Sequence, residues 1–312
     1  MNMPAWVAEA ASPRAGRLAE LVARHLPGGA IGSVIAGEVV VGGGKEIVLV
    51  DPVTGRPLAR YADGGAAAAH EAVEAAAGAL PAWRAMTASQ RGRILWEIGR
   101  QVRLHADELA EIECLSAGKP LRDARAEAGR VAEMFEYYAG WADKLEGSVI
   151  PVPSSHLNYV RREPHGVVAQ ITPWNAPLFT AGWQIAPALA AGNAVVLKPS
   201  ELTPLTSLIL GLLIARTEAP RGLVSVLAGQ GVTSGDAAVR HPQTRLVVFV
   251  GSVTTGRAIA RAAADGLKPA ILELGGKSAN IVFADADLAR ASLGAQAAIF
   301  SGRASPAWRA RG

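Results

Sequence analysis

Residues 166–201 read GVVAQITPWNAPLFTAGWQIAPALAAGNAVVLKPSE. An apolar run rich in β-branched residues at 166–172 gives way after Pro173 to an Ala/Leu-rich stretch with helical spacing at 178–191, and a second apolar run follows at 194–197. Strand, helix, strand in this order is the unit of a parallel sheet, because parallel neighbours need a crossover between them. The alternation continues. Apolar strands are expected at 223–227, 245–250 and 270–273, and helical segments at 204–217, 232–239 and 254–264. The fold class that follows is α/β, an open parallel sheet with helices on both faces.

Open sheets of this kind bind ligands beyond the C-terminal ends of their strands. The residues at those ends are Pro173-Trp174-Asn175, Lys198-Pro199-Ser200-Glu201, Gly229-Gln230-Gly231, Gly251-Ser252 and Glu273. A lysine such as Lys198 suits ribose hydroxyls or phosphate, and a carboxylate such as Glu201 accepts from a ribose 2′-hydroxyl and repels a 2′-phosphate. Gly251-Ser252 ahead of a helix offers N–H groups and a hydroxyl to a pyrophosphate. Each has a plainer reading alone: a turn with an N-cap at 198–201, and an ordinary cap at 251–252. The ordered set is harder to explain as caps. Glu273 belongs to 270–283, AILELGGKSANIVF, read as a buried apolar strand, a Gly275-Gly276-Lys277 bend and a second apolar strand at 280–283. A carboxylate closing a core strand beside glycines is a candidate general base. A glutamate that merely opens a turn is the alternative.

The chain has 312 residues, half of them hydrophobic, enough for a large core and two lobes. Its net charge is +4, and Arg303, Arg309 and Arg311 supply three of those charges. The body is nearly neutral, so the charge does not point to nucleic acid. One cysteine, Cys114, excludes an internal disulfide framework and a Cys-based zinc site and fits a reducing compartment. Set among Leu109, Ile112 and Leu115 with no adjacent histidine, it reads as a packing side chain rather than a nucleophile. No metal site is expected. The first residues carry no apolar run of signal-peptide length and no later run is long enough for a bilayer, so the expected location is cytoplasmic, without a membrane partner.

Upstream of the sheet, residues 13–25 have helical spacing and look like an appendage set off by Pro27-Gly28-Gly29. Residues 33–41 and 46–50 suggest one hairpin around Gly42-Gly43-Gly44, and the Gly-Gly-Gly-Lys run lacks the spacing of a P-loop. Helices are expected at 66–83, 88–105, 106–116 and 125–144, the last with Met134, Phe135, Tyr138 and Trp141 on one stripe. Pro151 and Pro153 restrict the extended stretch 147–162 to an edge or an arm.

PWNAPLF (173–179), LKPSELTP (197–204), FVGSVTTG (249–256) and LELGGKSANIVF (272–283), in this order, resemble the NAD(P)-dependent aldehyde dehydrogenase superfamily. VDPVTG (50–55), SAGKP (116–120) and REPHGVV (162–168) extend the resemblance from about 47 to 300. It implies that the Asn175 amide donates to the oxyanion of a thiohemiacetal, and that Glu273 is the base for the nucleophile or the deacylating water. Lys198 and Glu201 would hold the adenosine ribose, and Gly251 and Ser252 would lie under the diphosphate. Trp174 would line the nicotinamide side, and Thr172, Pro173, Ser200, Gly229, Gly231, Leu274 and Gly275 would be further cofactor-binding positions. The implied cofactor is NAD, with NADP possible, the substrate an aldehyde and the assembly a homo-oligomer. The implied organisation is an extension at 1–32, the hairpin and helices of the nucleotide-binding domain at 33–144, part of an oligomerisation arm at 145–163, the NAD-binding sheet at 164–273, the start of a catalytic domain at 274–300 and an aberrant tail at 301–312.

The tail departs from the family, which places a Gly-Gln-x-Cys run after a segment like 285–300. Residues 301–312 read SGRASPAWRARG, without a cysteine. Ser305 is no evident substitute, since an unactivated hydroxyl is a far poorer nucleophile than a thiolate. Codons for Gly-Gln-Ala-Cys-Leu-Ala-Gly-Ala-Arg, read one nucleotide out of register, can give Gly-Arg-Arg-Ala-Trp-Arg-Ala-Arg, which closely resembles Gly302 to Arg311. A frameshift near Ser301 is therefore expected, with a genuine short form as the alternative, and the chain is expected not to oxidise aldehydes.

Overall fold

In the computed structural model, which describes residues 12–276 and 278–300, the first element is α1 (Pro13–His25). The Ser12 hydroxyl caps it by accepting from the Ala15 N–H at 3.2 Å, and Pro13 occupies the first turn, where its missing N–H costs nothing. Leu18, Leu21 and Val22 are fully buried in the main core. The helix is therefore no appendage: its apolar stripe needed a partner and found one inside the fold.

Two hairpins follow instead of one. β1 (Ser33–Ile35) turns through Ala36-Gly37, both at positive φ (49° and 82°), into β2 (Glu38–Val40). This tight two-residue connection matches the twist of antiparallel strands. β3 (Glu46–Val50) pairs with β4 (Pro57–Ala62), which the sequence reading had not placed. Between them Asp51 accepts from the Val53 N–H at 2.9 Å, from the Thr54 hydroxyl at 3.0 Å and from Arg14 at 2.9 Å. Each local turn closes a strand on its own neighbour, so Gly42 to Gly44 only link the two hairpins.

Next come α2 (Gly65–Ala85), α3 (Ala88–Leu104), α4 (Ala106–Ala117) and α5 (Leu121–Ala139). A capping box between Thr87 and Gln90 starts α3, and Gly118, at φ 71°, stops α4. α5 begins and ends earlier than its expected 125–144: Phe135 is fully buried, but Trp141 lies past the end and is exposed. β5 (Ser148–Ile150) and β6 (Asn158–Val160) form a separate antiparallel ribbon, exposed along both strands.

The remainder alternates as expected: β7 (Val167–Ile171), α6 (Pro177–Ala190), β8 (Ala194–Lys198), α7 (Leu205–Ala215), β9 (Val224–Val226), a π-helical turn (Gly231–Gly235) running into α8 (Asp236–Arg240), β10 (Thr244–Gly251), α9 (Val253–Asp265) and β11 (Ala270–Leu274). α10 (Leu288–Phe300) follows. The sheet order is β11-β10-β7-β8-β9-β1-β2, and the five strands from β11 to β9 are mutually parallel. α2, α8 and α9 cover one face, while α6 and α7, backed by α3, α4 and α5, cover the other.

Two expectations around 270–283 do not hold. β11 is the edge of the sheet and largely exposed, because no described strand pairs with its outer side. Residues 280–283 form no strand, and Ile281, Val282 and Phe283 are exposed without a described neighbour to ladder with. None of the described helices is long and apolar enough to cross a membrane.

Candidate active site

The sheet reverses its direction of growth beside β7: β8 and β9 are added on one side, β10 and β11 on the other. Their crossovers run over opposite faces, so a crevice opens between the C-terminal ends of β7 and β10, the place where such sheets take ligands. The pleat sorts the side chains there. Lys198 pairs with Ile171, Ile171 with Phe249 and Phe249 with Leu272, so these four share the α9 face. Gln170, Val250 and Glu273 share the α6 face.

On the α8 and α9 side, Lys198 is only 2% exposed, and its Nζ lies 2.9 Å from Oε2 of the half-buried Glu201. Burial pushes the lysine below its ordinary pKa against the pull of Glu201. Burial also works to raise the Glu201 carboxyl, but Lys198 and backbone donation outweigh it and hold the group anionic, below the usual range. Tyr61 fixes the turn by donating to the Glu201 carbonyl at 2.9 Å. Ser200 serves that turn too: its hydroxyl accepts from the Leu202 N–H at 3.3 Å and its carbonyl from the Thr203 N–H at 3.2 Å.

The loop after β9 is held by Asp63, which sequence reasoning did not single out. This buried carboxylate accepts from the N–H of Gly65 at 2.9 Å and of Gln230 at 3.2 Å, and from the Thr233 hydroxyl at 2.6 Å. A Cβ on Gly229 would run into Asp63 and Ser234, while one on Gly231 would meet nothing within 4 Å. One glycine is thus required by packing and the other borders open space.

At the end of β10, a Cβ on Gly251 would lie 2.6 Å from the Phe249 ring. Ser252 is the N-cap of α9, its hydroxyl accepting from the Thr255 N–H at 3.2 Å. The plain reading as a cap is therefore correct, and the first turn of α9 still aims N–H groups outward, as every helix start does.

The 173–176 bend joins β7 to α6. Thr172 continues the ladder, its N–H donating to the Lys198 carbonyl at 3.1 Å, and its buried hydroxyl has no partner among the described residues. The Thr203 hydroxyl ties the bend by donating to the Trp174 carbonyl at 2.8 Å. Pro173 and Asn175 are half-buried, and Trp174 is 38% exposed. Behind the bend stands Glu113 of α4, 1% exposed, accepting from the Leu178 N–H at 2.8 Å and the Thr206 hydroxyl at 3.0 Å, and paired with Lys119 at 2.6 Å. Lys119 also bonds Glu127. Burial works to lower the Lys119 pKa, but the two carboxylates overcome it and raise it, while burial raises Glu127. A lysine inside the SAGKP motif was the available signal for this cluster.

Glu273 is exposed and pairs with Val250 across β11 and β10. Its next neighbour, Leu274, reaches over Gly256 of α9, and Gly275 borders open space. β10 separates Glu273 from β7, a lateral offset of roughly 10 Å at ordinary strand spacing. The carboxylate thus lines the same sheet edge as Asn175 without touching it. Cys114 is half-buried on α4. Lys277, Ser305 and the rest of 301–312 lie outside the described residues. A shallow cleft of about 400 Å³ between Ile281, Phe283 and Ala291 is formed by the last segment and not by the strand ends.

Residues 40–304 match the Aldehyde dehydrogenase family. The chain belongs to that family. It is similar to phenylacetaldehyde dehydrogenase of Pseudomonas fluorescens, 46% identical over 265 residues that cover 82% of this chain and 53% of the relative. It is 43% identical to betaine aldehyde dehydrogenase of Bacillus subtilis over 77% of this chain and 50% of the relative. The chain spans about half the length of these curated relatives. Among solved structures, betaine aldehyde dehydrogenase from Staphylococcus aureus in complex with NAD+ superposes with a TM-score of 0.83 at 36% identity, over 89% of this chain and 55% of that one. PnpE from Pseudomonas sp. WBC-3 superposes at 0.84 with 46% identity, over 87% and 56%. The α/β fold with a parallel-dominated sheet is that of the aldehyde dehydrogenases.

Proposed function

We propose that this chain is the dinucleotide-binding part of an NAD-dependent aldehyde dehydrogenase. The observation that carries the reading is the gathering of Thr172 to Asn175, Lys198 to Glu201, Gly229 to Gly231 and Gly251-Ser252 along one sheet edge at its switch point. Two features fit a dinucleotide: the buried Thr172 hydroxyl has no partner among the described residues, and the first turn of α9 after Gly251 aims its N–H groups outward. Lys198, oriented by Glu201, would hold ribose hydroxyls, and the anionic Glu201 would accept from the 2′-hydroxyl and oppose a 2′-phosphate. Ser200 supports that turn, Ser252 and Gly251 would receive the diphosphate, and Pro173, Trp174, Leu274 and Gly275 would border the nicotinamide. NAD, when bound, supplies the hydride acceptor. Asn175 would donate its amide to the oxyanion formed from the aldehyde, and the solvent-facing Glu273 carboxylate would take a proton from the attacking group or water.

The sequence's one cysteine sits in α4, so this reading has the chain by itself bind NAD in the cytoplasm without oxidising an aldehyde. Oxidation would belong to a family member that presents a thiolate to Glu273, and the exposed β5–β6 ribbon would serve assembly with further copies. Calorimetry tests the first part. NAD should bind the chain and Glu201→Arg should weaken it about tenfold, the loss of a charge-assisted contact; wild-type chain that binds no NAD overturns the proposal. NADH formation from an aldehyde by this chain would overturn the second part. A fragment unable to persist alone is the second reading, favoured by the bare side chains of Ile271, Ile281, Val282, Phe283 and Leu293. Light scattering that finds only aggregates decides for it.

A further inference from the structure

The end of α1 and the corner between α3 and α4 bring together three metal-ligating side chains that no strand-end role uses. Nε2 of His25 lies 2.7 Å from Oε2 of Glu108, and Nδ1 of His105 lies 3.6 Å from the same oxygen. One ligand atom from each of the three residues lies within 4.8 Å of the others. The two imidazoles meet edge to face at 5.0 Å. We propose that His25, His105 and Glu108 form a binding site, open at one position, for a divalent transition-metal ion of the zinc type.

The donor set is chemically suited: two imidazoles and one carboxylate are a common zinc combination, and a fourth position would be left to water. Ligand atoms around tetrahedral zinc stand roughly 3.3 Å apart, given metal–ligand bonds near 2.0–2.1 Å. The 3.6 Å contact is near that spacing, the 2.7 Å hydrogen bond needs a small opening, and the pair between the two imidazoles, within 4.8 Å, needs to close by up to about 1.5 Å to reach it. His25 is 5% exposed and set by the packing of α1, so one ligand is preorganised, while His105 and Glu108 are half-buried and reachable from solvent. The last turn of α1 adds a favourable field for a cation. Two guanidiniums oppose it: Arg24 holds the other Glu108 oxygen at 2.8 Å, and Arg216 acts on His25 through space. Affinity should accordingly be micromolar rather than tighter. The ion would staple α1 to the α3–α4 corner, elements distant in sequence, and so raise thermal stability.

The test is calorimetry and thermal melting of the untagged, chelator-treated chain with zinc chloride, alongside His105→Ala and Glu108→Gln. One equivalent of zinc should bind and raise the melting temperature. Each variant should bind roughly tenfold or more weakly, and both should melt like the parent without metal, which separates ligand loss from misfolding. Cobalt(II) should give the strong visible absorption of a four-coordinate ion in the parent only. Absence of zinc binding, or undiminished binding in both variants, overturns the proposal.

Discussion

Glu113 on α4 accepts the N–H of Leu178, 65 residues further along the chain, at 2.8 Å. The contact fixes the start of α6, and with it the bend that carries Asn175, to a helix layer read separately in sequence. Because Glu113 also takes the Thr206 hydroxyl and Lys119, its removal leaves a buried ammonium short of one partner and two donors unpaired. Glu113→Ala should cost about 3–5 kcal/mol, as for breaking a buried pair. Thr206→Val, which removes one neutral donor, should cost about 1 kcal/mol. Urea unfolding monitored by tryptophan fluorescence measures both, and equal small losses would show that the cluster contributes little.

Asp63 plays the corresponding role under the loop that carries Gly229 and Gly231. Replacing it by alanine removes three hydrogen bonds, two of them to the loop. Asp63→Ala should destabilise the chain by about 2–4 kcal/mol. Amide exchange at 229–235 should accelerate more than exchange in β8. Gly229→Ala should reproduce much of the effect by pressing a methyl against Asp63, whereas Gly231→Ala should be tolerated. Uniform acceleration across the sheet would show that Asp63 acts globally and not on the loop.

The parallel sheet was legible because β7, β8 and β9 are buried on both faces and read as mainly apolar runs, interrupted by Gln170 and Ser225, and because each C-terminal end carries a polar or glycine residue that a core strand does not need. What was not legible depends on long-range partners. Asp63 and Glu113 look like ordinary helix and turn carboxylates until the loops they hold are placed beside them. The apolar run at 280–283 shares its composition with a strand, yet composition cannot supply the neighbour that pairing requires. The paired hairpins replaced a single one because Ala36-Gly37 and Asp51 set local turns stronger than the glycine run. α1 could not be assigned to the core from its spacing alone, since an amphipathic stripe does not say which surface it covers.

Asp51 gives a pH dependence with a definite sign. Burial acts to raise its carboxyl, but donation from Val53 and Thr54 and the Arg14 guanidinium outweigh it and hold the group below its ordinary value of 3.8. A carboxylate depressed on folding contributes stability above that value, and the contribution drains away as the pH falls through the folded pKa. Asp51→Asn should lower stability by about 1–3 kcal/mol at neutral pH. Its deficit against the parent should shrink as the pH falls below 3.8. Urea midpoints recorded from neutrality into acid give the difference; a constant deficit would mean that the native carboxyl is not depressed.

Glu201 offers the sharpest separation between a turn residue and a cofactor selector. Lys198 keeps its carboxylate anionic and half exposed at the sheet edge, so a 2′-phosphate placed there would meet a fixed negative charge. Glu201→Gln preserves the shape and the backbone bond from Tyr61 but removes that charge. NADP should then bind about tenfold more tightly, in line with the 1–3 kcal/mol of a close charge contact, while NAD should lose a few-fold through the weaker acceptor. Lys198 acts in the same direction, since without its counter-charge the buried ammonium becomes available to the phosphate. Calorimetry with both cofactors measures the ratio. If both affinities fall together, Glu201 supports the fold of the loop and does not face the 2′ position; if only the ratio moves, the carboxylate reads the ribose.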